Sequence, residues 1–150
     1  MRDQLTVRPL AAGDETDWRR LWTGYLDYYE SSVSEDVYRS TFARLLDPDN
    51  HAQQALLAIG TDDTPVGLVH FIFHAHNWRI EQVTYLQDLF VDPRVRGTGV
   101  GRALIEAVYA AADDNGTPSV YWLTQEFNEV GRRLYDRLAQ VTPFIKYQRG

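Results

Sequence analysis

From Leu86 to Arg102 the chain reads Leu-Gln-Asp-Leu-Phe-Val-Asp-Pro-Arg-Val-Arg-Gly-Thr-Gly-Val-Gly-Arg. An apolar stretch stops at Asp92-Pro93, and glycines then recur at alternate positions, Gly97, Gly99 and Gly101. Arg94, Arg96 and Arg102 flank them, with no acid between 94 and 102. This order predicts a strand, a tight turn and the start of a helix. A backbone without side-chain bulk can approach a phosphate closely and aim its N–H groups at the anion. The positive end of the following helix adds to the attraction. The segment is therefore a candidate pyrophosphate cradle. It is not a P-loop, because no Gly-Lys-Ser/Thr follows, and its G-x-G-x-G spacing departs from the G-x-G-x-x-G of dinucleotide folds.

The periodicities around the loop predict a mixed sheet carrying helices. Leu5–Leu10 reads as a first strand. Asp14–Glu30 reads as a helix, with Trp18, Leu21, Trp22, Tyr25, Leu26 and Tyr29 at i, i+3, i+4 spacing. Ser32 with Glu35 resembles a capping box that opens a second helix ending at Leu46, before Asp47-Pro48. Gln53–Ile59 and Val66–Ala75 form a hairpin across Asp62-Asp63-Thr64-Pro65. Ile80–Val91 is the next strand, and a helix follows from about Gly99 to Asp114, closed by Asn115-Gly116 as an αL cap. Ser119–Thr124 reads as strand, Asn128–Ala139 as helix and Phe144–Gln148 as a last strand.

A chain of 150 residues with 44% hydrophobic and 13% aromatic content is sized for one domain over 1–150 with its own core. Cys is absent, which excludes disulfides and thiol chemistry. No apolar run is long enough to cross a bilayer, and Met1-Arg2-Asp3-Gln4 lacks a signal-peptide core, so a cytoplasmic protein is expected. A net charge of −6 argues against nucleic-acid binding. Residues 14–49 hold nine acids against four arginines, opposite in sign to the glycine loop. That split suits an anionic cofactor paired with a cationic acceptor. His70, His74 and His76 share strand parity, but no acid or Cys stands beside them in sequence, so they read as inert rather than as a metal site.

Arg96-x-x-Gly99-x-Gly101, directly after an apolar strand, resembles the acetyl-coenzyme A signature R/Q-x-x-G-x-G/A of the GCN5-related N-acetyltransferases (GNAT). Downstream, Asn128, Leu134 and Tyr135 occupy the places of that family's N-x-x-A-x-x-L/F-Y helix, with Gly131 where Ala is usual. The element order matches the family layout over nearly the whole chain. The tail Thr142-Pro143-Phe144-Ile145-Lys146-Tyr147 and the helix Leu21-Trp22-x-x-Tyr25-x-x-Tyr28-Tyr29 are similar to the branch of yeast histone-and-polyamine and diamine acetyltransferases.

The resemblance implies an α/β (α+β) fold: a mixed, mostly antiparallel sheet with helices on both faces and a splayed central strand. It implies acetyl-coenzyme A as co-substrate, with no metal, and a small primary amine as acceptor that attacks directly. The cofactor would be held by Leu89, Phe90 and Val91 on the strand, by Arg96, Gly97, Thr98, Gly99, Val100, Gly101 and Arg102 at the cradle, and by Asn128 and Tyr135 on the last helix. Gly131 would leave room for it. Tyr135 would protonate the departing sulfur, while Gln87, Tyr25 and Tyr29 would line the acceptor site, the tyrosines through cation–π contact. In the diamine branch a Glu can stand at the place of Gln87, and Gln is no base. Asp88 is the alternative, provided a bulge turns it to the site, since adjacent strand residues otherwise face opposite sides. Glu81, Glu126 or a water chain are reserves.

The acceptor stays open among a polyamine, a diamine and an amino acid, with a protein amine or an aminoglycoside as a second reading. A coenzyme A-binding module without turnover is a third, favoured by the missing Glu at 87 and opposed by Asn128 and Tyr135. A Rossmann-type binder would need a parallel βαβ array, which the hairpin before residue 80 opposes. A homodimer using the aromatic tail (Phe144, Tyr147) is expected.

Overall fold

The computed structural model describes residues 5–150; Met1–Gln4 lie outside the described residues. Five strands lie side by side in sequence order: β1 (Thr6–Pro9), β2 (Gln53–Ile59), β3 (Pro65–His74), β4 (Val83–Val91) and β5 (Val120–Tyr121). The first four pair antiparallel, and β5 joins β4 in parallel. Between them run α1 (Glu15–Tyr28), α2 (Glu35–Leu46) and α3 (Val100–Asn115), and α4 (Glu129–Leu138) follows β5.

Alternation along the strands sends side chains to two separate cores. On one face α3 lays Val100, Leu104, Ile105 and Val108 on Ala58, Val69, Phe71, Phe73 and Leu86, with Leu134 and Tyr135 of α4 joining. On the other, α1 and α2 press Trp18, Leu21, Trp22 and Phe42 against Ala55, Leu57, Ile59 and Leu68. Each fully buried Leu or Ile here stabilises by about 1.5–3 kcal/mol. The predicted helices on both faces and mostly antiparallel sheet are therefore found. In mid α1, Gly24 admits the Phe90 ring so closely that a Cβ there would stand 2.6 Å from its Cζ.

Four boundaries differ from expectation. Ser34, not Ser32, caps α2; its Oγ accepts from the Val37 N–H at 3.3 Å. Glu35 is thus the first helical residue and turns to Arg19, which donates to its two oxygens at 2.8 and 2.9 Å. β4 begins at Val83, and Ile80 stands fully exposed ahead of it. β5 is two residues long rather than the predicted six over Ser119–Thr124. The tail forms no strand over Phe144–Gln148, and Phe144, Ile145 and Tyr147 are exposed. A strand needs a laddered neighbour, and Pro143 removes a donor where the ladder would start.

Asp92 connects the sheet to the glycine loop. Its N–H donates to the Val66 carbonyl at 2.8 Å, and its side chain accepts from the Arg94 backbone N–H at 3.0 Å, capping the 3₁₀ turn Pro93–Val95. Arg94 closes on the same carboxylate, and Arg20 of α1 stands 3.5 Å away. The hydrogen bonds from Arg94 hold this buried acid down at about 2. The unfolded carboxyl titrates near 3.9, so the folded group is stabilising above that value, and its contribution fades as pH falls from about 4 to about 2. Asp92→Asn is expected to lower stability by about 1–3 kcal/mol at neutral pH, and denaturant titrations at pH 7 and pH 3 should show the gap to wild type narrowing in acid.

Candidate active site

The β4–β5 ladder consists of Thr84↔Val120 and Tyr85↔Tyr121 alone. Past Tyr85, β4 keeps its bonds to β3 while its other edge, from Leu86 to Val91, has no strand beside it. That is the predicted splay. Ile105 of α3, Trp122 and Leu123 beyond β5, and Tyr135 of α4 line the narrow cleft beside it, together with Tyr25 of α1 and Tyr29 just past its end.

At the far end of the open edge lies the glycine loop. Gly97 and Gly99 adopt φ of +81° and +92°, where a Cβ is strained. Gly99 is the N-cap of α3 and offers no side chain, and the N–H groups of Val100, Gly101 and Arg102 have no protein acceptor among the described residues. Three orphan donors at the positive end of a sixteen-residue helix form an anion cradle that no side chain fills. Gly101 has ordinary backbone angles and lies against Leu134, 3.4 Å from the position of a Cβ. Arg96 folds back, donating to the Val91 carbonyl at 3.0 Å with its guanidinium 5.5 Å over the Phe90 ring, and Arg102 lies 3.4 Å from Glu106. Thr98 donates to the Val95 carbonyl and braces the loop.

Tyr135 meets Trp122 edge-on at 5.5 Å. Burial, with Tyr29 and Tyr28 nearby, pushes its phenol above the ordinary tyrosine value, so it stays a proton donor. Asn128 sits one residue ahead of α4 as its N-cap. Its Oδ1 accepts from the Gly131 N–H at 3.2 Å and its Nδ2 donates to Thr124 Oγ1 at 3.0 Å. The Asn128 amide lies against Gly131 and would stand 2.5 Å from a Cβ added there.

The bulge is present. His70 pairs with Asp88 and Phe71 with Leu86, so Gln87 is the extra residue. Parity reverses there: Leu86, Leu89 and Val91 all face α3, while Asp88 and Phe90 turn toward α1. The Phe90 side chain is thus committed to α1, and its backbone, two residues before the Asp92 N–H that bonds Val66 of β3, faces β3 as well, so Leu89 and Val91 present the open edge. Asp88 Oδ2 accepts from Trp22 Nε1 at 3.2 Å and from His70 Nδ1 at 2.9 Å. Trp18 Nε1 donates to His70 Nε2 at 3.0 Å, which fixes the tautomer and makes Nδ1–H the donor. His70, read from sequence as inert, is the buried support of the candidate base. Cross-strand pairing to Asp88 was the missing signal, since eighteen residues separate the two.

Gln87 is exposed and borders two cavities. One is the β4–β5 cleft; the other, of about 400 Å³, lies toward α2 and includes Asp88, Trp22, Arg44 and Gln53. Glu81 pairs with Arg79 at 3.5 Å, and neither it nor Glu126 lines either cavity. His74 Nε2 meets the Tyr121 hydroxyl at 2.8 Å and His76 accepts from the Trp78 N–H, so the three imidazoles do not converge. Among the described residues no group of three or more His, Cys, Asp or Glu is placed to hold a metal ion, and no helix is long and apolar enough to cross a membrane.

Three comparisons bear on this geometry. The Acetyltransferase (GNAT) family profile matches residues 18–139. The chain is 36% identical over 149 residues, 99% of its length and 92% of the relative's, to the D-amino-acid N-acetyltransferase HPA3 of Saccharomyces cerevisiae. It is 26% identical over 95 residues, 63% of this chain and 58% of the relative, to the thialysine N-epsilon-acetyltransferase of Caenorhabditis elegans. Its fold superposes with a TM-score of 0.83 and 19% identity on AAC(6')-Iy in complex with a bisubstrate analog, covering 97% of each chain.

Gly99→Ala is expected to strain the loop by about 1–2 kcal/mol and to crowd the cradle. Calorimetry with coenzyme A should then show affinity reduced by about tenfold or more, while thermal unfolding shifts by only a few degrees.

Proposed function

The chain belongs to the GNAT acetyltransferase family and is an N-acetyltransferase, and from that premise we propose that it moves an acetyl group from acetyl-coenzyme A to a small primary amine: a polyamine, a diamine or an amino acid. One observation carries this reading. The unpaired edge of β4 runs from the orphan amides of α3 to the Tyr135 phenol, and the bulge at Gln87 opens the same strand to a second cavity containing Asp88.

The donor set fits the cofactor. The N–H groups of Val100, Gly101 and Arg102, reached through Gly97, Thr98 and Gly99, would hold the diphosphate, with Arg96 and Arg102 close by. The open backbone of Leu89 and Val91, on either side of Phe90, would accept the pantetheine arm as an added strand. Asn128 acts by capping α4 and so fixing where Tyr135 stands. When bound, acetyl-coenzyme A supplies an activated acetyl thioester.

The remaining work falls on the chain. An acceptor arrives as an ammonium ion, and Asp88 Oδ takes its proton. The freed amine forms the N–C bond as the C–S bond breaks, the Tyr135 hydroxyl gives its proton to sulfur, and the extra proton on the new amide nitrogen leaves to solvent. Solvent then resets both groups. Trp22 and His70 hold the Asp88 carboxylate in place through the transfer. The faces of Tyr25 and Tyr29 line the cleft for cation–π contact with the ammonium group. The same reading takes the enzyme as a cytoplasmic homodimer, supported by the exposed apolar side chains of Phe144, Ile145 and Tyr147.

Tyr135→Phe is expected to cut kcat by about 10²-fold with coenzyme A binding kept, read as thiol release and calorimetry on one preparation. Unchanged turnover removes Tyr135 from its role. Because burial raises the Tyr135 phenol, the wild-type rate should not fall on its account until pH passes about 10. Asp88→Asn should lower kcat/KM by about 10²-fold; an unaltered kcat/KM would hand the proton to a water chain.

A further inference from the structure

We propose that the cavity beside Asp88 is a zwitterion pocket, in which Asp88 takes the ammonium group of an amino-acid acceptor and Arg44 takes its carboxylate. The inference rests on the acetyl-transfer reading above and narrows it.

Two opposite charges face this cavity of about 400 Å³. Asp88 is the only carboxylate in its lining and Arg44 the only guanidinium. The other polar groups are the neutral amides of Gln53, Gln54 and Gln87, the Thr41 hydroxyl and His70, whose two ring nitrogens are already bonded to Trp18 and Asp88. A polyamine or diamine would bring its second cation toward Arg44 and find no second anion. An α-amino acid carries one charge of each sign, and the pocket offers the complement of both.

Arg44 also stands apart from its neighbours. Arg19, Arg20 and Arg39, the other arginines of α1 and α2, each hold a carboxylate of the protein. Arg44 has none among the described residues; its one side-chain contact is Thr41 Oγ1, a turn back on its own helix, at 3.5 Å. A cation in a last turn complements the helix dipole, but that role does not require it to line a cavity. The guanidinium fork matches a carboxylate in two-point geometry. Gln87 borders both this cavity and the β4–β5 cleft, so an amine held at Asp88 lies at the boundary that the acetyl group must cross.

The test compares alanine, alaninamide and 1,4-diaminobutane as acceptors for wild type, Arg44→Gln, Arg44→Lys and Arg44→Glu. Arg44→Gln should lower kcat/KM for alanine by about 10–100-fold, the worth of a charge-assisted hydrogen bond, chiefly through KM, and leave alaninamide within about twofold. Arg44→Lys should restore part of the loss, and Arg44→Glu should raise the use of 1,4-diaminobutane. Equal losses for alanine and alaninamide, or no loss for either, overturn the carboxylate role of Arg44. So does a wild type that prefers the diamine to alanine. Calorimetric binding of alanine and alaninamide to the coenzyme A-loaded protein reads the pocket without turnover. If no amine is acetylated, the catalytic reading falls, and the pocket stands or falls on whether Arg44→Gln weakens alanine binding selectively.

Discussion

A peptide N–H or C=O without a partner persists only where water or a ligand reaches it, and β4 carries a run of such groups. Its first residues are sealed between β3 and β5, while its last six are bonded on one side only. A conventional sheet would complete the ladder or end the strand. This one does neither, because α3 and α4 pack beneath the gap and hold β5 away, with Ile105, Trp122, Leu123 and Tyr135 along the walls. The cleft is thus a property of the sheet rather than of a surface loop. Its direction, from a phenol to a cradle of amides, follows from which end of β4 enters the glycine turn.

The bulge imposes the second constraint. One extra residue at position 87 reverses strand parity, so Leu89 and Val91 continue on the face that Leu86 occupies while Asp88 crosses to α1. Burying a carboxylate there is costly unless its lone pairs are met. Trp22 and His70 meet them, and Trp18 completes the chain by donating to the imidazole. No buried side-chain nitrogen or oxygen among the described residues lacks a partner. The two tryptophans therefore serve twice, as the largest apolar bodies under α1 and as the N–H groups that make an acid tolerable beside the sheet.

Local chemistry was the legible part of the sequence. The tight glycine turn before α3, the αL cap at Gly116, the turn at Asp62–Pro65 and the amphipathic stripe of α1 each rest on a few neighbouring residues, and each is found near its predicted place. What rests on distant partners was not legible. Ser32 reads as the cap of α2, yet the path of the chain after Tyr28 brings Ser34 to meet Val37 instead. The tail has strand composition but no ladder to join. His70 gains its meaning from register with Asp88 and from Trp18, fifty-two residues away. Asn128 is tied to the cofactor by resemblance, and its side chain is also bonded to Thr124 and to the first turn of α4, partners that its motif alone does not name.

Charge shows the same division at larger scale. The acidic excess of residues 14–49 reads from sequence as a field for a cationic acceptor, and five of its nine acids are paired locally. Asp14 is clamped by Arg8 at 2.8 and 3.0 Å, Glu15 and Glu35 share Arg19, Asp17 holds Arg20, and Asp36 holds Arg39. Exposed pairs of this kind contribute at most about 1 kcal/mol each and are screened by salt. Over the cavity, a group's sign matters in proportion to how closely it faces the ligand. The polarity of the acceptor site is then set by the two ionic side chains that line it, Asp88 and Arg44. Regional composition gives the sum of the charges, and pairing decides which of them a substrate meets.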